Sequence, residues 1–449
     1  MCNRHAVLKK ICFILMATGL LQACGNEEPS RTRPGLDEHM PNAANLNFLI
    51  VSFDALRADA MGAYGYHRDT SPNLDQFAQE SLLFDNAYTA SPTTPTSFAA
   101  AFTGQYPYKV FIGWNLIPSV TLAGLLQEEG FYTFGLFNNI QLAEERHFNQ
   151  GFEKYAVVSW PDEKVLADAR QLLNEAAGQR FFGWIHFISP HSPYEYREMS
   201  SQLAGPENEG RYAKTTGGDF DVVNEQELTR VRDLYDGEIF FADDLFRQLM
   251  EHVESLGLMD NTVIIVTSDH GEEFMEHGQL QHNAVYEELI RIPLMIRHPA
   301  FKQGARTDVP FVNVDLLPTI AAMAGIAPPD NIDGIDLFHA FDADRYRLSA
   351  SMTNNKRYEI ASEQSADKLI LGCTPEFREE LYNLETDPSE LSDLILDKPQ
   401  LAGKLSDAME DITLSDPCEI MMNANRGRLP EELLSPEQIE QLRSLGYIQ

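Results

Sequence analysis

Basic charge, cysteine and long apolar runs are all scarce in this 449-residue chain, and each scarcity excludes something. Lysine and arginine total 34 against 68 aspartates and glutamates, giving a net charge of −34. A surface that acidic repels nucleic acid and anionic lipid, so neither is expected as a partner. The apolar run Ile11 to Leu21 is too short to span a bilayer as a mature helix. Repeats are absent, as are low-complexity tracts beyond Gly25 to Ala44. What is present is a hydrophobic content of 43%, enough for a sizeable core. The length, about 425 residues without a leader, exceeds one ordinary domain.

Arg4, Lys9 and Lys10 precede the apolar run, which ends in Leu21-Gln22-Ala23-Cys24 before the polar stretch Gly25 to Ser30. A small residue before a cysteine, followed by a polar tether, resembles a bacterial lipobox. On that reading residues 1–23 are a lipoprotein signal peptide, Cys24 is the lipidated first residue of the mature chain, and residues 24–44 are a flexible tether. The protein would face the periplasm or the cell surface, touching membrane through the lipid anchor only. An ordinary signal peptide cut nearby would leave a soluble protein instead. Losing the three basic residues and no acidic one takes the net charge from −34 to −37. Cys2 and Cys12 leave with the leader, so Cys373 and Cys418 remain. They can pair in an oxidising compartment or stay as two buried thiols, and neither resembles a catalytic cysteine.

Asn45 to Phe53, Phe131 to Phe137, Arg180 to Ile188, Thr262 to Thr267 and Ile292 to Ile296 read as buried strands. Helices are expected after Thr70-Ser71-Pro72, over Phe98 to Phe102, Val120 to Glu129, Glu163 to Ala177 and Gln226 to Leu256. Alternating strands and helices imply a three-layer α/β/α sandwich with a large, mostly parallel mixed sheet over residues 45–340. From about residue 341 shorter strands such as Lys368 to Leu371 and Glu380 to Leu384 imply a smaller C-terminal α+β subdomain, 341–449. Ligand chemistry in such sheets gathers beyond the carboxyl ends of the strands. Asp54, His191 and Asp269-His270 each follow a strand.

In Ser268-Asp269-His270-Gly271, a carboxylate and an imidazole at a strand end offer oxygen and nitrogen ligands to one divalent cation. The alternative is an N-cap aspartate with solvent-facing histidines. Asp54 would be costly unpaired, so it suits a cation, or it pairs with Arg57 or caps the next turn. Thr94 lies at a helix start that favours negative charge; it is a metal-activated nucleophile or an N-cap. His191, in a proline-bounded loop, is an acid–base candidate, whereas His186 is expected inside its strand as a hydrogen-bonded core residue.

These residues sit in VSFDALRADAMGAYGY from Val51, SPTTPTSFAAAFTGQYP from Ser91, HFISPHSPY from His186, TSDHGEEFMEHG from Thr267, YEELIRIPLM from Tyr286, ELYNLETDPSELSDL from Glu380 and LRSLGY from Leu442. The ordered set resembles the sulfatase family, within the alkaline phosphatase superfamily. The resemblance implies an α/β/α sandwich with a small C-terminal subdomain, one divalent metal and a nucleophile capping a helix. It places Asp54, Asp269 and His270 at metal-ligand positions and Thr94 at the nucleophile. His191 matches a histidine that contacts the transferred group or its leaving oxygen. His282 falls where many members place a Lys or His near the anion. Asn115 falls at a substrate-binding position, and His277 lies in the family's His-Gly segment, with substrate. Calcium is the family's habit, with manganese or zinc also suited to the ligands.

Three departures matter. Sulfatases resemble Cys-x-Pro-Ser-Arg, or its serine version, where this chain has Thr94-Pro95-Thr96-Ser97-Phe98, and threonine cannot become formylglycine. Shifting by one would make Thr93 the nucleophile. Phe98 stands at the arginine position, and Ala55 replaces the second of the usual paired aspartates. A threonine sulfate has no easy route to turnover, whereas a phosphothreonine can be hydrolysed with metal assistance. The expected activity is therefore hydrolysis of a sulfuric or phosphoric (phosphonate) ester of a small molecule or glycan. A phosphoglycerol or phosphoethanolamine transferase and a catalytically weak, glycan-binding surface lipoprotein are the alternatives. Such substrates are anions on a strongly acidic protein, so a metal must supply the local positive centre.

Overall fold

Every side chain of the first strand, Asn47–Phe53 (β1), is buried, because the strand lies mid-sheet with helices over both faces. A computed structural model of the protein describes residues 45–158, 161–205, 224–301, 303–338, 345–352, 357–362, 366–373 and 376–424. The leader, Cys24, the tether, the expected boundary near residue 340 and the LRSLGY segment lie outside the described residues.

The other strands of the large sheet are Leu82–Phe84 (β2), Tyr132–Phe137 (β3), Lys154–Val157 (β4), Phe181–Phe187 (β5), Thr262–Ser268 (β6), Leu294–Arg297 (β7) and Ala305–Thr307 (β8). Their order is β8-β2-β7-β6-β1-β5-β3-β4. Neighbours pair in parallel except at β7, which is antiparallel to both β6 and β2. The sequence expected that strand as another apolar run; hydrophobicity carries no information about direction, so its reversal emerges only in the structure.

Side chains alternate across β1 as strand geometry requires. Leu49, Val51 and Phe53 join a core with helices Pro72–Ala78 (α1), Asp162–Ala176 (α4) and Glu225–Ser255 (α5). Phe48 and Ile50 point the other way, onto Thr94–Thr103 (α2), Leu122–Glu128 (α3) and Leu316–Met323 (α6). Each such buried side chain contributes roughly 1.5–3 kcal/mol. Among the described residues, no helix is long and apolar enough to cross a membrane.

Strands Tyr346–Ser351, Arg357–Ser362, Asp367–Gly372 and Arg378–Asn383 form a separate antiparallel sheet in sequence order. Helix Pro399–Thr413 covers it, with Leu405 and Met409 meeting Leu348, Leu369 and Leu381. Tyr106, Tyr108 and Val314 complete the same core, so this α+β unit shares its interior with the larger one. Cys373 and Cys418 form a disulfide, their Cα atoms 5.3 Å apart.

Registry now places the chemistry. Phe53 pairs with Phe187 on one side and Ser268 on the other. The three central strands therefore end level, and Asp54, the loop to His191, and Asp269-His270 emerge at one edge.

Candidate active site

Asp54 and Asp269 are drawn together by the backbone between them. Ala55 adopts a left-handed conformation (φ 60°), uncommon for a residue with a side chain. That turn aims the Ala55 N–H at Asp269 Oδ1 (3.1 Å), while the Tyr235 hydroxyl donates to the Ala55 carbonyl (2.8 Å). Ser268 Oγ accepts from Leu56 N–H (3.0 Å) and donates toward the carbonyls of Phe53 and His270 (2.8 and 2.7 Å). Gly271 is required by close approach: a Cβ there would lie 1.9 Å from the Glu288 carbonyl oxygen.

Thr94 is the first residue of α2 and is fully buried. Its Oγ1 lies 3.4 Å from Asp54 Oδ2 and 3.4 Å from His270 Nε2. The Thr93 hydroxyl instead meets Thr96 Oγ1 at 2.5 Å, so it is Thr94 whose hydroxyl reaches Asp54 and His270. Arg57 pairs with Asp59 and Glu276 (2.7 and 2.9 Å), leaving Asp54 to other partners. No helix starts at Asp269, and His270 and His282 are buried, so neither the capping nor the solvent-facing alternative describes this stretch.

One oxygen of each carboxylate, Asp54 Oδ1 and Asp269 Oδ2, is buried without a hydrogen bond among the described residues. His270 Nδ1 lies 2.9 Å from the Gly271 carbonyl, which can only accept, so Nδ1 carries a hydrogen and Nε2 is the ring atom turned to the same space. These three ligand atoms lie within 4.8 Å of one another. Buried, unsatisfied and mostly anionic, the set fits a divalent cation with mixed oxygen and nitrogen ligands. Burial, reinforced by the Asp54 charge, pushes the Asp269 carboxyl up. Burial would do the same to Asp54, but the His191 charge, with His186 and His270, outweighs it and holds Asp54 low.

His191 and His282 stand Nε2 to Nε2 at 3.1 Å. Their Nδ1 atoms face the carbonyls of Ser192 (2.6 Å) and Pro92 (3.0 Å) and so both carry hydrogen. Two lone pairs cannot face at that distance, so one ring is protonated. Burial opposes charge on His191, but the Asp54 and Glu272 carboxylates outweigh it and raise its pKa. Burial and the neighbouring His270 and His191 drive His282 well down. The proton therefore belongs to His191.

Other expected residues lie apart from this group in their contacts. Asn115 is half-buried on a two-residue strand, its Nδ2 donating to the Gly113 carbonyl (2.9 Å). His277 stacks on Tyr286 and neighbours Glu288. Phe98 is buried against Trp184 and His186, ring centroids 5.2 and 4.8 Å away, so the arginine position is filled by core. His186 is the expected buried strand residue, with Nδ1 2.9 Å from Ser52 Oγ, yet its Nε2 also reaches Asp54 Oδ2 (3.3 Å).

Asn139 went unforeseen. Its Nδ2 donates to Asp54 Oδ2 (2.8 Å) and to Thr94 Oγ1 (3.3 Å), while its Oδ1 accepts from Gln141 N–H (3.0 Å) and fixes the amide's orientation. The available signal was its place two residues beyond β3, at the same sheet edge.

A family model described as Sulfatase matches residues 46–326, and one described as N-sulphoglucosamine sulphohydrolase, C-terminal, matches residues 275–414. An arylsulfatase of Clostridium perfringens is 24% identical over 440 residues, covering 78% of this chain and 90% of its own. A solved structure of a protein in complex with its substrate D-glucosamine-2-N,6-O-disulfate superposes with a TM-score of 0.70 at 20% identity, covering 84% of this chain and 100% of that one. A phosphonate monoester hydrolase of Agrobacterium radiobacter gives 0.66 at 17% identity, covering 82% and 95%.

Proposed function

The chain belongs to the sulfatase family of ester hydrolases, and from that premise we propose that it cleaves phosphoric or phosphonate esters with Thr94 as nucleophile. The carrying observation is the Thr94 hydroxyl 3.4 Å from both Asp54 and His270, beside two buried carboxylate oxygens without donors. Asp54, Asp269 and His270 would hold the metal. A divalent cation there lowers the proton affinity of an adjacent hydroxyl and draws charge from the transferred group. Asn139 orients the Thr94 oxygen, leaving a lone pair for attack. Thr94 passes its proton to Asp54 Oδ2, toward which it donates (3.4 Å). Its oxygen bonds to phosphorus as the bond to the leaving oxygen breaks and protonated His191 supplies the proton the leaving oxygen takes. In the second step water, giving its proton to the now neutral His191, bonds to phosphorus as the bond to the Thr94 oxygen breaks, and Thr94 recovers its proton from Asp54. Burial of Phe98 at the arginine position means one contact fewer to the anion from this side of the pocket. A glycan ester suits the solved relative whose substrate is a sulfated glucosamine. The lipobox reading adds a lipid anchor at Cys24 on the periplasmic or outer side of a membrane.

Thr94→Ala is expected to abolish turnover of aryl phosphate, phosphonate and sulfate esters screened with calcium, manganese and zinc. Unchanged turnover in that variant ends the assignment. A wild-type protein that is inactive with every metal supports the glycan-binding alternative.

A further inference from the structure

A second group of ligand atoms lies away from Thr94. His277, Glu288 and Glu390 each bring one ligand atom within 4.8 Å of the other two, with His277 Nε2 3.5 Å from Glu288 Oε1. His277 comes from the loop after Glu273-Phe274, Glu288 from the short helix Glu287–Ile290, and Glu390 from the segment beyond the strand Arg378–Asn383. The side chains are 10%, 9% and 0% exposed.

Two of the three are already positioned. The His277 ring lies flat on Tyr286, centroids 3.5 Å apart, and Glu390 Oε2 accepts the Glu287 N–H at 2.7 Å. Glu288 Oε1 accepts no hydrogen bond among the described residues, and His277 Nε2 is 3.5 Å away. Lys368 Nζ stands 2.9 Å from Glu390 Oε1 and 3.0 Å from Glu287 Oε1. Arg347 Nη2 also reaches Glu287 Oε1 (2.6 Å), so these two cations serve Glu287 and Glu390, and the buried Glu288 oxygen without a hydrogen bond is costly. Burial, with the Glu390 charge, pushes Glu288 up to about 8, and burial pushes Glu390 up to about 7.

We infer that His277, Glu288 and Glu390 form a second metal site, taking zinc. One imidazole with two carboxylates suits zinc, whereas calcium and magnesium prefer shells of oxygen alone. Bound there, the ion clips the loop after Asp269-His270 and the Glu287–Ile290 helix to the C-terminal unit. The site stands whether or not Thr94 is a nucleophile.

The test is zinc content of the full-length protein, equilibrated with zinc and desalted. Glu288→Gln and His277→Gln should each lose one equivalent that Asp269→Asn retains. Zinc that disappears in Asp269→Asn and persists in Glu288→Gln overturns the site. Wild-type crystals saturated with zinc avoid any folding defect of the variants: an anomalous peak between the three side chains supports the site, and its absence there overturns it.

Discussion

Replacing Asn139 tests whether one amide holds the Thr94 oxygen, the proposed nucleophile, in place. Asn139→Ala removes a 2.8 Å hydrogen bond to the buried Asp54 carboxylate and a 3.3 Å bond to Thr94. Asp54 Oδ2 keeps only longer contacts, His186 Nε2 at 3.3 Å and Thr94 Oγ1 at 3.4 Å. A hydrogen bond to a charge is worth about 1.5–3 kcal/mol. If that stabilisation is expressed in the transition state, kcat/KM falls about 10- to 150-fold. Alanine also removes the Asn139 cap on Gln141, which would lower stability by about 1 kcal/mol. Asn139→Asp separates the effects, since it keeps the capping oxygen but donates nothing. Both variants should therefore lose turnover of aryl phosphates, while the cap is lost in alanine alone and any instability of the aspartate in urea comes from its carboxylate facing Asp54. Wild-type kcat/KM in both would refute the positioning role, however much the alanine variant is destabilised.

Exhaustive chelation should abolish turnover and lower the melting temperature, because Asp54 and Asp269 are left facing each other; full activity in chelated, metal-free protein contradicts the site. Gly271→Ala forces a Cβ against the Glu288 carbonyl oxygen 1.9 Å away and shifts the carbonyl that holds His270. Urea unfolding should show a loss of about 2–4 kcal/mol together with lower turnover, and wild-type values for both would exclude that constraint. Burial, helped by Arg297, lowers buried His298 from its ordinary 6.5 to about 4. The unfolded chain then takes up the proton first, so stability is lost as pH falls from about 6.5 to about 4, by up to about 3 kcal/mol. His298→Asn keeps an acceptor for Ala300 N–H and should flatten that slope in melts across this window; an unchanged slope rejects the assignment.

The strands were legible because β1, β5 and β6 are apolar on both faces, and that continuity fixes where they end. Asp54 and Asp269-His270 were legible for the same reason, as polar residues beyond those ends. Direction was not: β7 reads as one more apolar run, yet it is antiparallel to both strands beside it. Asn139 was missed because a neutral amide after a strand carries no charge signal, and its importance lies in which atoms it faces. His277 shows the opposite limit. Its segment suggested contact with substrate, but stacking on Tyr286 and proximity to Glu288 are tertiary facts that spacing cannot convey. Ala55 gave no hint of its left-handed turn, since only the tie to Asp269 makes that backbone worthwhile.

The tie between Ala55 and Asp269 spans 214 positions of chain, and Thr94 meets His270 across 176. No stretch of polypeptide shorter than that from Asp54 to His270 contains all three candidate metal ligands. Reactivity should arrive all at once, after the slow long-range pairing of β1 with β6 is complete. Regain of turnover after dilution from denaturant thus becomes a clock for that final pairing, and half-synthesised chains remain chemically silent toward esters around them.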